Sequence, residues 1–308
     1  MTYHNPTSKS DVYQRVTDTI VAALEKGAGD WSFPWRRDSA MPTNAVTKAP
    51  YHGVNVLMLW AASAERNWSG RWASYKQWQT SGAQVRRGER GSTVIFYKTL
   101  ERDKRDGSGN VVTDDDGNAK IERLYLARAS TVFNADQVDG YEPPAVDNDG
   151  PAVSPIERAE AFVANTGAVV RHGGARAFFC PSTDHIQMPP VEAFNGTATS
   201  TATEGYYGTL LHELTHWTGH EKRLKRDFSG RFGNDAYAAE ELVAEHGAAF
   251  VCAELQLSQQ PRPDHAQYIA TWLRVLKGDK RAIFTAASKA SQAADYLKSL
   301  QVEQAEAA

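Results

Sequence analysis

The motif HELTH at residues 212–216 is the feature that most constrains this chain of 308 residues. Residues four apart lie on the same face of an α-helix, so the imidazoles of His212 and His216 can bind one cation, at about 2.0–2.1 Å each. Glu213 is turned about 100° from His212, where a general base beside a metal must lie to take a proton from water. The motif therefore predicts a helix that carries a divalent metal centre.

A catalytic metal of this kind needs a third protein ligand and an open coordination position. The segment ELVAE at residues 241–245 places Glu241 and Glu245 on one face of a helix whose other residues are largely apolar. Carboxylates in such surroundings are costly unless they are paired or bound to a metal. We assign Glu241 as the third ligand and Glu245 as the acceptor for a ligand histidine N–H. Glu240 stays a competing ligand, since the sequence does not fix the helix rotation to one residue.

The donor set decides which metal is expected. Two histidines and one carboxylate suit Zn²⁺ best, and Mn²⁺, Co²⁺ or Ni²⁺ are alternative occupants. We expect one such ion per chain, either catalytic or acting only as a structural staple. His220 follows His216 by one helical turn, but Gly219 is expected to end or bend the helix before it, so we place His220 outside the ligand set.

Charge divides the chain into two unlike halves. The net charge is −3, but residues 1–100 carry 13 Lys and Arg against 7 Asp and Glu, whereas residues 141–308 carry 15 against 21. A basic half joined to an acidic half indicates two tasks, one of which involves an anionic partner.

Aromatic residues are concentrated in the basic half, where six of the eight tryptophans lie within residues 31–78. Single-stranded nucleic acid is bound without sequence preference by rings that stack on bases and by cations that contact phosphates. We therefore predict such a surface here, with Trp60 reserved for the core because it ends an apolar run. The predicted contact residues are Trp31, Trp35, Arg36, Arg37, Trp72, Tyr75, Lys76, Arg86, Arg87 and Arg90.

Residues 141–155 hold four prolines and three acids, which predicts a linker between a first domain, 1–140, and a second, 156–308. Both domains mix helices and strands, so the fold class is α+β, with a small first domain and a mostly helical second domain that has a short sheet. Helices are predicted at 9–27, 53–67 and 73–82, then at 156–167, 202–218, 235–257, 264–277 and 279–300. Strands are predicted on both sides of a polar turn at 103–119, and again at 168–174 and 177–188.

The composition excludes several classes of protein. No apolar run reaches the ~18 residues that a membrane span needs, and the first residues lack the apolar segment of a secretory signal. The chain has only two cysteines, Cys180 and Cys252, which excludes a disulfide scaffold and fits a reducing compartment. We therefore expect a cytoplasmic protein without a membrane partner.

Long motifs in both halves resemble the family of ArdC-type antirestriction proteins. The segments PYHGVNVLMLW, ASYKQW and GAQVRRGERGSTVIFY are similar to the N-terminal single-stranded-DNA-binding domain of that family. LLHELTHWTGHEKRLKRD and YAAEELVAEHGAAF are similar to the zincin-like metallopeptidase domain that follows it, and the match runs from about residue 10 to residue 300. The resemblance implies a protein of a conjugative plasmid or mobile element that coats single strands and protects incoming DNA from host restriction.

The same resemblance implies a thermolysin-like centre, with His212 and His216 as ligands, Glu213 as base and Glu241 as third ligand. Two other functions fit the residues. One is a zinc-dependent metallopeptidase whose first half recognises a protein substrate, such as a host protein. The other is a DNA-binding protein whose metal is only structural.

Overall fold

A computed structural model describes residues 12–27, 41–64, 66, 68–114, 117, 119–143, 154–195, 201–228, 235–257 and 265–302. The chain is an α+β protein of two domains, the second of them mostly helical. Its described helices are α1 (Val12–Gly27), α2 (Val54–Ala64), α3 (Tyr75–Thr80), α4 (Pro155–Asn165), α5 (Ala202–Thr218), α6 (Asp235–Leu255), α7 (His265–Gly278) and α8 (Ala282–Val302). Its described strands are β1 (Thr43–Asn44), β2 (Arg71–Ser74), β3 (Gln84–Val85), β4 (Ser92–Asp103), β5 (Ile121–Asn134), β6 (Val138–Asp139), β7 (Val169–His172), β8 (Phe178–Cys180) and β9 (His185–Met188).

The first half is built on a long hairpin. β4 and β5 pair antiparallel from Ser92↔Val132 to Asp103↔Ile121, and they form one sheet in the order β1-β2-β5-β4. The side chain of Asn55, on α2, bonds both backbone polar groups of Ile95 at 2.7 and 2.8 Å, which fixes α2 against the hairpin. A separate two-stranded sheet, β3-β6, closes a small core around Trp78.

The second half places a small sheet beside a group of helices. Its strand order is β7-β9-β8, with β7 parallel and β8 antiparallel to β9. Helix α5 begins with a capping box, in which the Thr201 hydroxyl accepts from the Glu204 N–H while the Glu204 carboxylate accepts from the Thr201 N–H. From Leu210 to Thr218 every residue of α5 is buried, so the helix enters the interior of the protein.

One apolar core joins the two halves. The Trp60 ring of α2 contacts the Phe250 ring of α6 with centroids 5.6 Å apart, and the Tyr13 ring of α1 lies 4.7 Å from that of Phe284 on α8. The Thr17 hydroxyl of α1 also donates to the Lys280 carbonyl at 2.9 Å. The two halves are therefore packed against each other through buried side chains.

Most predicted elements are confirmed. The helices predicted at 9–27, 53–67, 202–218, 235–257, 264–277 and 279–300 correspond to α1, α2, α5, α6, α7 and α8, and the two strands flanking the polar turn are β4 and β5. The helix predicted over 73–82 is wrong at its start, because β2 pairs with β5 up to Ser74↔Val132. Ser74 then caps α3, since its hydroxyl accepts from the Gln77 N–H.

Other predictions stay open. Residues 144–153 of the predicted linker lie outside the described residues, and the domain limits 1–140 and 156–308 stay predictions. Within the described part of the chain, no helix combines the length and apolarity needed to cross a bilayer.

Candidate metal centre and nucleic-acid face

Helices α5 and α6 bring two histidines and one glutamate together. The Nε2 atoms of His212 and His216, on α5, each lie 3.4 Å from a carboxylate oxygen of Glu241, on α6. One ligand atom from each of the three residues lies within 4.8 Å of the other two, and all three residues are buried. We call these three residues the metal cluster, because two imidazole nitrogens and a carboxylate are the donor set that a divalent transition metal requires.

A close helix crossing makes this geometry possible. A Cβ added at Gly247 of α6 would lie only 2.4 Å from the Thr215 side chain of α5, so the two helices touch where α6 has no side chain. Leu211 and Leu214 are fully buried on α5 and fix its rotation. Glycine at this position therefore lets α6 approach the histidine-bearing helix.

Each histidine of the metal cluster has a second carboxylate at its other nitrogen. His216 Nδ1 bonds Glu240 Oε1 at 3.1 Å, and His212 Nδ1 lies 3.5 Å from Glu245 Oε2. An acceptor at Nδ1 fixes the proton there and leaves Nε2 as the donor atom toward a metal. Both Nε2 atoms therefore face Glu241, which is the orientation that a shared metal position needs.

The carboxylates of Glu240 and Glu241 differ in orientation. The Glu241 carboxylate faces both Nε2 atoms, whereas the Glu240 carboxylate is bonded to His216 Nδ1 and to the guanidinium of Arg226. Consecutive helical residues point about 100° apart, so the two carboxylates cannot both face the cluster. The described geometry favours Glu241 as the ligand and Glu240 as the partner of His216.

Electrostatics make the metal cluster a favourable place for positive charge. Burial by itself would lower the pKa of His216, but the carboxylates of Glu241 and Glu240 raise it to about 10. Burial by itself would raise the pKa of Glu241, but the imidazoles of His216 and His212 hold it well below its usual value. Surrounding carboxylates thus stabilise a cation at this position, whether it is a proton or a metal ion.

Two further residues of the α5 region can be placed. Glu213 follows His212 and is only 3% exposed. His220 lies beyond the end of the helix, where its Nε2 donates to the Pro181 carbonyl at 3.1 Å and its Nδ1 accepts from the Lys222 N–H at 3.2 Å. Both nitrogens of His220 are therefore occupied by backbone groups, as expected for a residue outside the ligand set.

In the first half, three of the predicted nucleic-acid residues meet at one cavity of about 530 Å³. Tyr75 is 46% exposed there, its ring lies edge-on to that of Phe133 at 6.3 Å, and its hydroxyl accepts from Gln84 Nε2 at 2.9 Å. We call the set Tyr75, Gln84, Arg86, Arg87 and Phe133 the Tyr75 face. It combines an exposed ring with two cations.

The structure corrects one of the other predicted contacts and describes two more. Trp72 is fully buried and packs edge-on against Trp68 at 5.8 Å, so its ring has no free face for a base. Lys76 and Arg90 are exposed but do not line this cavity. Trp31, Trp35, Arg36 and Arg37 lie outside the described residues.

The two arginines of the Tyr75 face differ in their contacts. Arg86 is bonded within the protein, because it donates to the Asp136 carbonyl and, at 3.1 Å, to Glu89 Oε1. Arg87 is exposed. Sequence reasoning missed Phe133 and Gln84 because strand pairing and a turn, rather than proximity along the chain, bring them to Tyr75.

Comparison with known proteins matches two parts of the chain to two different families. Residues 10–133 match the family described as the N-terminal domain of anti-restriction factor ArdC, and residues 157–289 match the family described as zincin-like metallopeptidase. The crystal structure of the metal-free antirestriction ArdC protein from plasmid R388 is similar at a TM-score of 0.75 and 41% identity. That similarity covers 95% of this chain and 98% of the other. The Mn(II)-bound structure of the same protein is similar at a TM-score of 0.74 and 40% identity, over the same shares of the two chains.

Two further relatives differ in length. Protein y4eC of Sinorhizobium fredii (strain NBRC 101917 / NGR234) is 48% identical over 304 residues, which are 97% of this chain and 95% of that protein. DNA primase TraC of Escherichia coli is 36% identical over 306 residues, 96% of this chain, which spans only 28% of the length of TraC.

Proposed function

We propose that this chain, which belongs to the ArdC family of antirestriction proteins, binds single-stranded DNA through its first half and carries a divalent-metal peptidase centre in its second half. In this proposal the protein acts in the cytoplasm and protects DNA that enters on a plasmid or mobile element from host restriction. The observation that carries the enzymatic part is the metal cluster, in which every ligand atom is buried and oriented by a neighbouring carboxylate or helix.

His212, His216 and Glu241 would hold the metal. Zn²⁺ suits two imidazoles and one carboxylate best, and Mn²⁺, Co²⁺ or Ni²⁺ fit the same donors. The Mn(II)-bound relative supports a divalent cation at this centre. When bound, such an ion acts as a Lewis acid that polarises a carbonyl and lowers the pKa of a water molecule.

The chain's own residues supply the remaining chemistry. Glu213 follows the first ligand histidine, so its carboxylate can accept the proton of an attacking water and later donate it to the leaving amine. Glu240 bonds His216 Nδ1 and Glu245 lies 3.5 Å from His212 Nδ1, so both Nε2 atoms stay directed at the metal position. Burial of the cluster excludes bulk water, which strengthens each of these electrostatic interactions.

A Glu213→Gln variant separates a catalytic metal from a structural one. We expect it to keep one metal per chain by elemental analysis and to lose cleavage of labelled casein, tested with and without oligo-dT. The second candidate function, a DNA-binding protein with a structural metal, predicts that Glu213→Gln changes nothing while His212→Ala unfolds the second half. Cleavage by Glu213→Gln at the wild-type rate would rule out Glu213 as the base.

The Tyr75 face supports binding of single strands without sequence preference. Its exposed ring offers a stacking surface. Arg87, at the same cavity, and Lys76, next to Tyr75 in the sequence, are exposed cations. The match of residues 10–133 to the ArdC N-terminal domain supports the same assignment.

A titration against salt tests the nucleic-acid part. We expect the full chain to bind labelled dT30 more tightly than a duplex of the same length, with an affinity that falls steeply between 50 and 200 mM salt. Binding that is absent or insensitive to salt would leave the other candidate, in which the first half recognises a host protein that the centre cleaves. Protection of incoming DNA is tested by conjugation into restricting and non-restricting hosts.

A further inference from the structure

We infer that Arg226 is a positioning residue of the metal centre, acting on His216 through the carboxylate of Glu240. The inference rests on the proposed metal site. It adds a residue that lies in the loop after α5, ten positions beyond the last ligand histidine, and that no motif singles out.

The Arg226 guanidinium ties the two ligand-bearing helices together. Its side chain is only 4% exposed. Toward α6, Nε donates to both Glu240 oxygens at 3.1 and 3.2 Å, and Nη2 donates to Glu240 Oε1 at 2.9 Å. Toward α5, Nη1 donates to the Thr218 hydroxyl at 2.7 Å and Nη2 to the Thr215 carbonyl at 2.5 Å.

These bonds fix the carboxylate that orients His216. The oxygen that accepts from Arg226, Glu240 Oε1, is also the oxygen 3.1 Å from His216 Nδ1. A buried carboxylate without a cationic partner is costly, so without Arg226 the Glu240 side chain would turn away from this position. That movement removes the acceptor that directs His216 Nε2 toward Glu241.

The loop is packed tightly around this guanidinium. A Cβ added at Gly219 would lie 2.9 Å from Arg226 Cζ and 2.5 Å from Phe228 Cζ, so no other residue fits there without moving the arginine. The backbone N–H of Arg226 donates to the Gly219 carbonyl at 2.8 Å. Gly219 therefore holds the backbone of Arg226 by a hydrogen bond and also packs against its side chain. The guanidinium has little freedom to move away from Glu240.

A second buried arginine of the same loop provides the matched control. The Arg223 side chain is 8% exposed, pairs with Asp184 in the turn between β8 and β9, and lies over the Trp217 ring at 3.8 Å. Its described bonds go to Asp184 and to the Trp217 carbonyl, and none of them reaches Glu240. Replacing it therefore removes a buried loop arginine without touching the partner of His216.

The test uses Co²⁺ as the probe, titrated into the full-length, metal-stripped protein and followed by its visible absorption. We expect Arg226→Gln to raise the Kd for Co²⁺ about 10- to 100-fold, the range for loss of an outer partner of a ligand histidine, and to change the absorption bands. We expect Arg226→Lys to lie between the wild type and Arg226→Gln. Arg223→Gln should keep the wild-type Kd within about twofold, even though its melting temperature falls.

The path through Glu240 is tested by a double-mutant cycle. We expect Glu240→Gln to weaken Co²⁺ binding about as much as Arg226→Gln does, and the double variant to be little worse than either single one. If Arg226→Gln does not fold, Arg226→Lys and its cycle with Glu240→Gln decide the question.

Three results would overturn the inference. An unchanged Kd and absorption spectrum in folded Arg226 variants would show that Arg226 does not position His216. Equal weakening of Co²⁺ binding by Arg223→Gln would show that Arg226 acts only through the packing of the loop. A wild-type protein that binds no Co²⁺ would overturn the proposed metal site itself, which is a distinguishable failure.

Discussion

The metal cluster and the Tyr75 face differ in how completely the rest of the protein holds their side chains. His212, His216 and Glu241 are buried, and each contacts carboxylates or imidazoles of the neighbouring helix. Tyr75 is 46% exposed, and Arg87 is exposed as well. A pre-oriented buried cluster depends on every member, whereas an exposed face spreads a weaker interaction over many side chains.

This difference has a physical cause. Binding of a small cation needs several donors at fixed distances, and only packed helices supply such precision. Binding of a flexible, charged strand needs positive potential and stacking surfaces, which tolerate movement of each contributing side chain. A single substitution in the metal cluster should therefore abolish metal binding, whereas a single substitution at the Tyr75 face should only weaken DNA binding.

The largest effect is expected at the third ligand. Glu241→Gln should lose its metal completely on dialysis, as measured by elemental analysis, because a neutral amide replaces the anionic ligand. Glu254→Gln, at a half-exposed carboxylate of the same helix, should keep the metal. If Glu241→Gln retained one ion per chain, the metal cluster would not depend on every member, and in this respect it would not differ from the Tyr75 face.

The buried region should also be sensitive to acid. Burial lowers the pKa of His246, on α6, to about 4, although Glu245 opposes the change. An unfolded chain binds this proton near pH 6.5 and the folded chain only near 4. The contribution to stability is therefore full above 6.5 and falls as the pH drops toward 4, by on the order of 3 kcal/mol.

Urea unfolding across this pH range, in the presence of chelator, measures the effect. The wild type should lose more stability between pH 6.5 and 4 than His246→Gln does, whatever the stability of the variant at neutral pH. Parallel curves for the two proteins would show that His246 is not the source of the acid sensitivity.

The helix crossing allows a comparison between two glycines. Gly247→Ala should destabilise the protein by about 1–3 kcal/mol, because the added methyl group collides with Thr215. Gly208→Ala, on α5, meets no heavy atom within 4 Å and should stabilise the helix by about 0.5–1 kcal/mol. Thermal unfolding gives both values, and equal shifts of the two variants would contradict the close crossing.

At the Tyr75 face we expect partial losses of binding. Tyr75→Ala should weaken binding of dT30 by about 1–3 kcal/mol through the loss of one stacking surface, while Tyr75→Phe keeps the ring and most of the affinity. Arg87→Gln should lower the salt slope by about 0.7, the value for one phosphate contact on a single strand. Fluorescence anisotropy at several salt concentrations measures both effects. A complete loss of DNA binding from either change would show that the Tyr75 face, like the metal cluster, depends on every member.

Local patterns predicted much of the fold. The helix predicted over residues 9–27 is α1 (Val12–Gly27), and the two strands around the polar turn are β4 and β5. Periodicity did not predict β2, because four residues are too few for a pattern and only pairing with β5 makes them a strand. The same pairing buries Trp72, which had been expected to stack on bases.

The candidate ligands on α5 follow from local spacing alone, since residues four apart in a helix place His212 and His216 on one face whatever surrounds them. The position of Glu241 beside both imidazoles, and the turn of Glu240 toward His216 and Arg226, depend on how the helices pack in three dimensions. The rotation of α6 against α5 is set by packing at Gly247 and Thr215, and a contact between two helices has no signature in the sequence of either one.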